Sequence, residues 1–488
     1  MTAKKFGVAR YENVAEGYLA KRSLRKSAGW VLLWALGVGA VISGDFAGWN
    51  AGLLHGGFWG LAIATMLMAI MYVCIVFTIA ELSAALPHAG GFFSFTRNAF
   101  GPTGGFICGL TDAIEYIITP AVIVYFIGGY MEKLVPGVSE EIWWILFYAV
   151  FVGINIRGVE LTLKIGLAVT AVAIAVLVVF YISALVSGAF EWNRLFNVVA
   201  EPGHSADGLP KGWRGVFAVL PFAIWFYLAI EQLPLAAEEA HDAASDMPKA
   251  LIWGILTLLA LSLFTLVLNS GVGGGAKEIG KSDAPLADGF QAVFGIGATS
   301  KILTLIALTG MVASFHTIIY AYGRVLFALS RAGYVPRWIS LTSRWQTPHL
   351  ALTLGAVFGL LCTLVIKLTD KEGVGAALLN MAVFGAVISY TMVMASYVKL
   401  RISRPDLPRP YRSPLGIPGA VLGGVLSLVA LLATFSLPEY RSGVVGVAVF
   451  LIVGIVYFFA YSRHHLVAQA PEEENALIAE AEQELSHQ

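Results

Sequence analysis

The chain reads as an all-α polytopic membrane protein of about twelve transmembrane helices, and three observations carry that reading. It is 58% hydrophobic and 13% charged, with a mean hydropathy of +0.77. A soluble protein of this length carries about 25% charge. Its apolar runs approach or exceed the roughly 20 residues that span hydrocarbon. About two thirds of its 31 Lys and Arg fall on one side of such a membrane, the bias that marks cytoplasmic segments.

In chain order the expected spans are 28–54, 57–85, 103–131, 142–157, 161–187, 215–237, 249–270, 302–329, 348–368, 374–397, 418–437 and 443–462. The fourth is short. Lys21, Arg22, Arg25 and Lys26 precede the first span, and Lys399, Arg401, Arg404, Arg409 and Arg412 follow the tenth, so both termini are expected in the cytoplasm. No cleavable signal peptide is expected, because the charged leader is long and no small-residue cleavage site follows a short apolar segment. Residues 1–27 form a cytoplasmic leader, and 463–488 an acidic tail expected to be a short solvated helix. Cys74, Cys108 and Cys362 lie within spans and suit packing better than a disulfide or metal framework. The glycines of GVGGGAKEIG (271–280) are not a phosphate loop, since no strand precedes them and no Gly-Lys-Ser/Thr follows.

Two spans are interrupted. The first breaks at ISGDFAG, where Asp45 stands between Gly44 and Gly48. The sixth carries Glu231 and Pro234 inside VFAVLPFAIWFYLAIEQLPLAAEE (216–239). Each is the first helix of a five-helix block, so the core reads as two inverted repeats, 28–187 and 215–397, followed by two further helices over 418–462. Unwound backbone survives at membrane depth only when buried in protein or lining a wet cavity, so the breaks locate a binding cavity near the midplane.

Several segments, in order along residues 28–462, resemble the amino acid–polyamine–organocation transporters. ELSAALPHAGGFFSFTRNAFGPTGGFICG (81–109) is similar to that family's connection of the second and third helices, and NIRGVE (155–160) to the start of its fifth. YGRVLFALSRAGYVPRW (322–338) with QTP (346–348) resembles the segment after its eighth, and RPYRSPLGIPG (409–419) the approach to its eleventh. The resemblance implies a LeuT-like fold with alternating access. VISGDFAGWNAGL and WFYLAIEQLPLAAEE look most like the ethanolamine permease branch.

In carriers of amino acids from this family, a G-S-G-I-F type segment at the first break receives the substrate carboxylate on bare backbone N–H groups. Here the matching residues are Ser43, Gly44, Asp45, Phe46 and Ala47. A fixed carboxylate at Asp45 repels a second carboxylate and attracts an ammonium. An ionised group at the membrane centre costs about 2.5–3.5 kcal/mol, which makes it a functional candidate; the alternative is a cap on the half-helix. Glu231 is a second ammonium partner, a proton site or a helix-end structural acid. By the resemblance Trp225 lies over the substrate, with Tyr227 a further aromatic; cation–π contact contributes about 0.5–2 kcal/mol. Asp112, Glu115 and Tyr116 share one helix face, and Glu115 and Tyr116 match positions at the distal end of the site. His316 is either a substrate contact or a satisfied structural histidine. Backbone at the breaks, with Ser43, would serve a hydroxyl.

The expected substrate is therefore ethanolamine or a close small cationic alkanolamine, with an amino acid, choline or a polyamine as alternatives and a non-transporting amine sensor as a remoter one. Some family members carry a coupling lysine midway along the fifth span. The stretch AVTAVAIAVL (168–177) has no charge there, and Lys164 nearer its start reads as a snorkelling anchor. Potential-driven uniport suffices physically, since a monocation gains about 2.3 kcal/mol per 100 mV; a proton is the candidate coupling ion. An enzyme is not expected: of nine histidines only His316 lies well inside a span, and no H-E-x-x-H or G-x-S-x-G pattern occurs. No cofactor, metal or nucleic-acid partner is expected beyond the substrate and the lipid of the inner membrane, and no oligomeric state follows from the sequence.

Overall fold

The computed structural model describes residues 4–6, 8–295, 301–369 and 374–486. Apolar composition and long uninterrupted runs produce helices, in the order α1 (Trp30–Val41), α2 (Ser43–Phe46), α3 (Gly52–Ala85), α4 (Phe92–Leu134), α5 (Glu140–Arg157) and α6 (Val159–Val186). Then come α7 (Gly212–Ala218), α8 (Leu220–Ile224), a 3-10 segment (Ile230–Glu239), α9 (Ala243–Phe264), α10 (Gly275–Ile279), α11 (Pro285–Phe294) and α12 (Lys301–Arg331). The chain ends with α13 (His349–Thr369), α14 (Val374–Ser403), α15 (Gly416–Ala433), α16 (Arg441–Ala460) and α17 (Pro471–Ser486).

Among the described residues nine helices are long and apolar enough to cross a membrane. The other three expected spans differ for identifiable reasons. The first and sixth are broken, and α5 carries Glu140, Glu141 and Arg157 at its ends. Two helices also overrun their spans. In α4 the backbone turns at Gly101 (φ +74), and in α3 at Gly57 (φ +68), leaving a short, largely buried helical segment before each crossing.

The two broken spans lie against each other. The Ser27 and Ala28 amides donate to the Glu239 carbonyl at 2.9 and 3.0 Å, and His241 N–H returns to Ala28 at 2.8 Å. The half of the first span before its break therefore runs with the half of the sixth span after its break, as an inverted repeat requires. Around this pair, α4 packs along α12 and α14, and α3 along α9 and α15.

Both chain ends lie on one face of the molecule. Strand β1 (Lys4–Phe6) pairs antiparallel with β2 (Ala9–Glu12), which pairs parallel with β3 (Leu466–Val467). The tail corrects the solvated reading of its sequence. On α17, Glu472 and Glu473 are fully buried and paired with Arg331 and Arg97. A run of acids looks solvated only until arginines from other helices are brought beside it.

The close approach of the two breaks yields a test. A methyl added at Gly44 would stand 1.9 Å from the Trp225 carbonyl oxygen, whereas one at Gly60 meets nothing nearer than 4.0 Å. Gly44→Ala is expected to cost about 3 kcal/mol, the upper range for overpacking, and Gly60→Ala much less; unfolding midpoints in detergent measure both.

Candidate functional site

The first break is a single turn, Ser43–Phe46, followed by extended Ala47 and by Gly48 at φ +98. Only glycine takes that last conformation without strain. The freed backbone groups are met from α12: Ser43 N–H donates to the Ser314 hydroxyl at 3.0 Å, which donates to the Gly39 carbonyl at 3.0 Å. In the sixth span Ala229 holds a left-handed φ of +85, uncommon for a residue with a side chain. Its N–H donates to Glu231 Oε1 at 3.0 Å, so Glu231 fastens its own break. Gln232 crosses to the first span, donating to the Leu36 carbonyl at 3.1 Å.

A cavity of about 320 Å³ lies at this junction. Ser43, Gly48 and Asn50 line it from the first break, Trp225 and Phe222 from the sixth span, and Ile123 and Phe126 from α4. Ser282 and Asp283 of the connection before α11 border it, with Asn380 and Tyr440. The Trp225 ring lies over Gly48, where an added methyl would stand 3.5 Å from it. Of the residues singled out in the sequence, Ser43 and Trp225 line this cavity, and Gly44 lies behind them against the Trp225 carbonyl.

Asp45 is buried and points elsewhere. Its Oδ1 accepts from Thr265 at 3.0 Å, Tyr181 stands 2.6 Å from Thr265, and Oδ2 has no hydrogen-bond partner among the described residues. Thr265 opens a π-helical turn (Thr265–Asn269) after α9, a distortion that recurs at functional sites. Tyr227 lies outside the cavity, its hydroxyl 2.9 Å from Ser262 and its ring against Tyr72. His316 also lies outside it: the ring joins α12 to α6 through the Thr162 carbonyl, 2.8 Å from Nε2, and packs on Phe151.

Glu231 and Glu115 form a second acidic centre. Their carboxyl groups face each other, with Asp112 and Tyr116 close by, all buried. Tyr390 donates to Glu231, and Tyr72 donates on to Tyr390 at 2.9 Å. Neither Glu115 oxygen has a hydrogen-bond donor among the described residues. The structure thus joins Glu115, Tyr116 and Glu231 but holds Asp45 apart, on Thr265. Thr265, Tyr181, Tyr72 and Tyr390 were not singled out in the sequence, where each is one of several hydroxyl residues along an apolar run and nothing distinguishes it from the others.

The face bearing the chain ends is closed by ion pairs. Glu239 pairs with Arg324 at 2.7 Å, both fully buried, and accepts from Tyr320. Glu238, just beyond the sixth span, binds Arg331, which also meets Glu472 of the tail at 2.6 Å. Burial opposes ionisation of Glu238, but the Arg331 charge and hydrogen bonds outweigh it and hold its carboxyl below the usual range. Arg97 meets Glu473 at 2.6 Å, and Tyr11 and Tyr334 donate to the same carboxylate.

Discontinuous helices packed break to break, with a cavity where the breaks meet and a closed end, are the arrangement of a membrane transporter of the LeuT-like fold. The solved structure of Mhp1, a nucleobase-cation-symport-1 family transporter, superposes with a TM-score of 0.52 over 88% of this chain and 98% of its own, at 14% identity. The amino acid permease family model matches residues 18–470, and the chain belongs to that family. It is similar to an uncharacterized transporter of Rhizobium meliloti, 26% identical over 87% of this chain and 90% of the relative. It is also similar to the branched-chain amino acid permease BcaP of Bacillus subtilis (26%; 91% and 95%) and to the D-serine/D-alanine/glycine transporter of Escherichia coli K12 (24%; 81% and 85%).

Breaking a buried ion pair by removing one partner costs about 3–5 kcal/mol. Glu473→Gln, which leaves Arg97 with the partly exposed Glu480, is expected to free α17. Limited proteolysis would then cut near residue 470 at least tenfold faster than in the unaltered protein.

Proposed function

We propose that this transporter imports ethanolamine or a close small alkanolamine across the inner membrane, with both termini cytoplasmic. The cavity is the external receiving position, and the substrate's ammonium passes beneath Trp225 to Asp45. Ser43 and the backbone of the break serve the hydroxyl. The observation that carries the reading is the imbalance of buried charge. Asp45 stands at the first break, and Glu231 with Glu115 and Asp112 at the second. The buried arginines Arg97, Arg324 and Arg331 are taken up by Glu473, Glu239 and Glu238 at the closed end, while Arg22 is bonded to Ser340. Carboxyl groups that have no basic partner among the described residues favour a cation at the centre over a substrate carboxylate.

Glu231, Glu115 and Tyr116 close the far end of the path, and their paired carboxyl groups are the position for a coupled proton. Tyr227 and His316 hold helices together in this scheme. The stretch 168–177 offers no lysine for coupling; within it the Thr170 hydroxyl donates to the Ala35 carbonyl at 3.2 Å. An inside-negative potential alone supports roughly 50-fold accumulation of a monocation per 100 mV.

A second reading, an amino acid carrier, is favoured by the relatives, which include a branched-chain amino acid permease and a D-serine/D-alanine/glycine transporter. The two separate on competition. Uptake of radiolabelled ethanolamine into proteoliposomes with an inside-negative potential is expected, blocked by excess alkanolamine but not by serine or alanine. Asp45→Asn should lower both binding and flux at least tenfold. Preferential uptake of serine or alanine, retained in Asp45→Asn, would overturn the amine reading; binding without flux would make the protein a sensor. Ethanolamine has four heavy atoms, which at about 1.5 kcal/mol each limits its dissociation constant to tens of micromolar.

A further inference from the structure

On the face that carries both chain ends, a basin of about 380 Å³ is cut between the leader, the start of α6 and the turn before α13. Arg25, Arg157, Lys164 and Arg344 line it, against a single acid, Glu160. Lys164 and Glu160 pair at 2.7 Å, but both are exposed, so the pair is weak. Among the described residues Arg25, Arg157 and Arg344 have no carboxylate within ion-pair distance. The Arg344 guanidinium lies 4.2 Å over the Trp345 ring, which holds it at the rim. Arg97 and Arg331, which close this face, are each held by two acids, whereas among the described residues the three arginines round this depression are not.

A second, independent feature points the same way. The N-terminus of the 28-residue α6 opens into the basin through Gly158, Val159, Glu160 and Leu161. Gly158 turns there at φ +145, and no side chain caps the helix. The first intrahelical bond returns from Thr162 to Gly158 at 3.1 Å, so the amides before it have no partner within the helix. Free amides and the positive end of the helix dipole favour an anion with several acceptor oxygens.

We propose that this basin binds the phosphate of an anionic phospholipid headgroup in the leaflet on that face. Phosphate chemistry matches guanidinium groups and helix amides together. The lipid source follows from what adjoins the basin. Leu161 at its edge is exposed, and Val172, Val179, Ile182 and Leu185 continue an exposed apolar surface along the same helix. Acyl chains attached to the headgroup lie along that surface, whereas a free phosphate gains nothing from it. A bound headgroup bridges Arg25, just before the first broken span, to α6 and the turn before α13.

The test uses the full chain in nanodiscs of zwitterionic phosphatidylcholine, with phosphatidylglycerol or inorganic phosphate added, and needs no transported substrate. Lipid retention by native mass spectrometry and the unfolding midpoint are read for wild type, Arg157→Gln/Arg344→Gln and Lys249→Gln, an exposed cation outside the basin. Each basic side chain near a membrane contributes about fivefold in affinity. The double variant should therefore retain phosphatidylglycerol roughly 30-fold more weakly, with wild type and Lys249→Gln alike. The double variant and Lys249→Gln should both fold as well as wild type in phosphatidylcholine. Equal retention by the double variant overturns the site. A midpoint shift matched by inorganic phosphate, and lost in the double variant, overturns the lipid source.

Discussion

Backbone that leaves a helix inside hydrocarbon must find every hydrogen bond within the protein, and the rest of this structure follows from that requirement. Two spans leave their helices, and their freed groups are met partly from each other and partly from neighbouring helices. The first break is satisfied by Ser314 of α12, and the half-helix before it by Gln232 of the sixth span. The second is fastened by Glu231, whose oxygen also accepts a hydrogen bond from the Tyr390 hydroxyl. Gly44 is needed because the Trp225 carbonyl occupies the space of its side chain. The cavity is what remains where the two breaks meet but cannot fill the space between them.

Satisfying the breaks also fixes where the acids go. Asp45 turns towards α9, where a π-helical turn presents Thr265, and Glu231 turns towards α4 and α14. The result is two carboxyl centres on different sides of the broken pair rather than one cluster. The proposed alkanolamine reading draws on that separation, because neither centre holds a basic residue of its own.

The far end is closed by the chain termini themselves. Glu238 and Glu239 extend the sixth span into a layer of arginines contributed by α12, and Glu472 of the tail shares Arg331 with Glu238. The β2–β3 pairing ties the leader into the same layer. Opening this end must break buried charge pairs. Since each stranded charge costs several kcal/mol, the closed state is held firmly until new partners are provided.

Length, hydropathy and the positions of charge determined the helices, their approximate limits and the two breaks, because crossing a bilayer demands about 20 apolar residues whatever the fold. Even the α5 segment, too charged at its ends to qualify by composition, lies where its apolar centre placed it. Ser43, marked by its place in the first break, and Trp225, marked by the family resemblance, both line the cavity. Tertiary structure alone decided that Asp45 faces Thr265, 220 positions away, and that Glu115 faces Glu231. It also decided that the acidic tail is buried on Arg97 and Arg331. A side chain's partner depends on how helices rotate and cross, and residues hundreds of positions apart leave no periodic trace of that. The sequence shows which charges lie within the bilayer; only the packed helices show which of them meet.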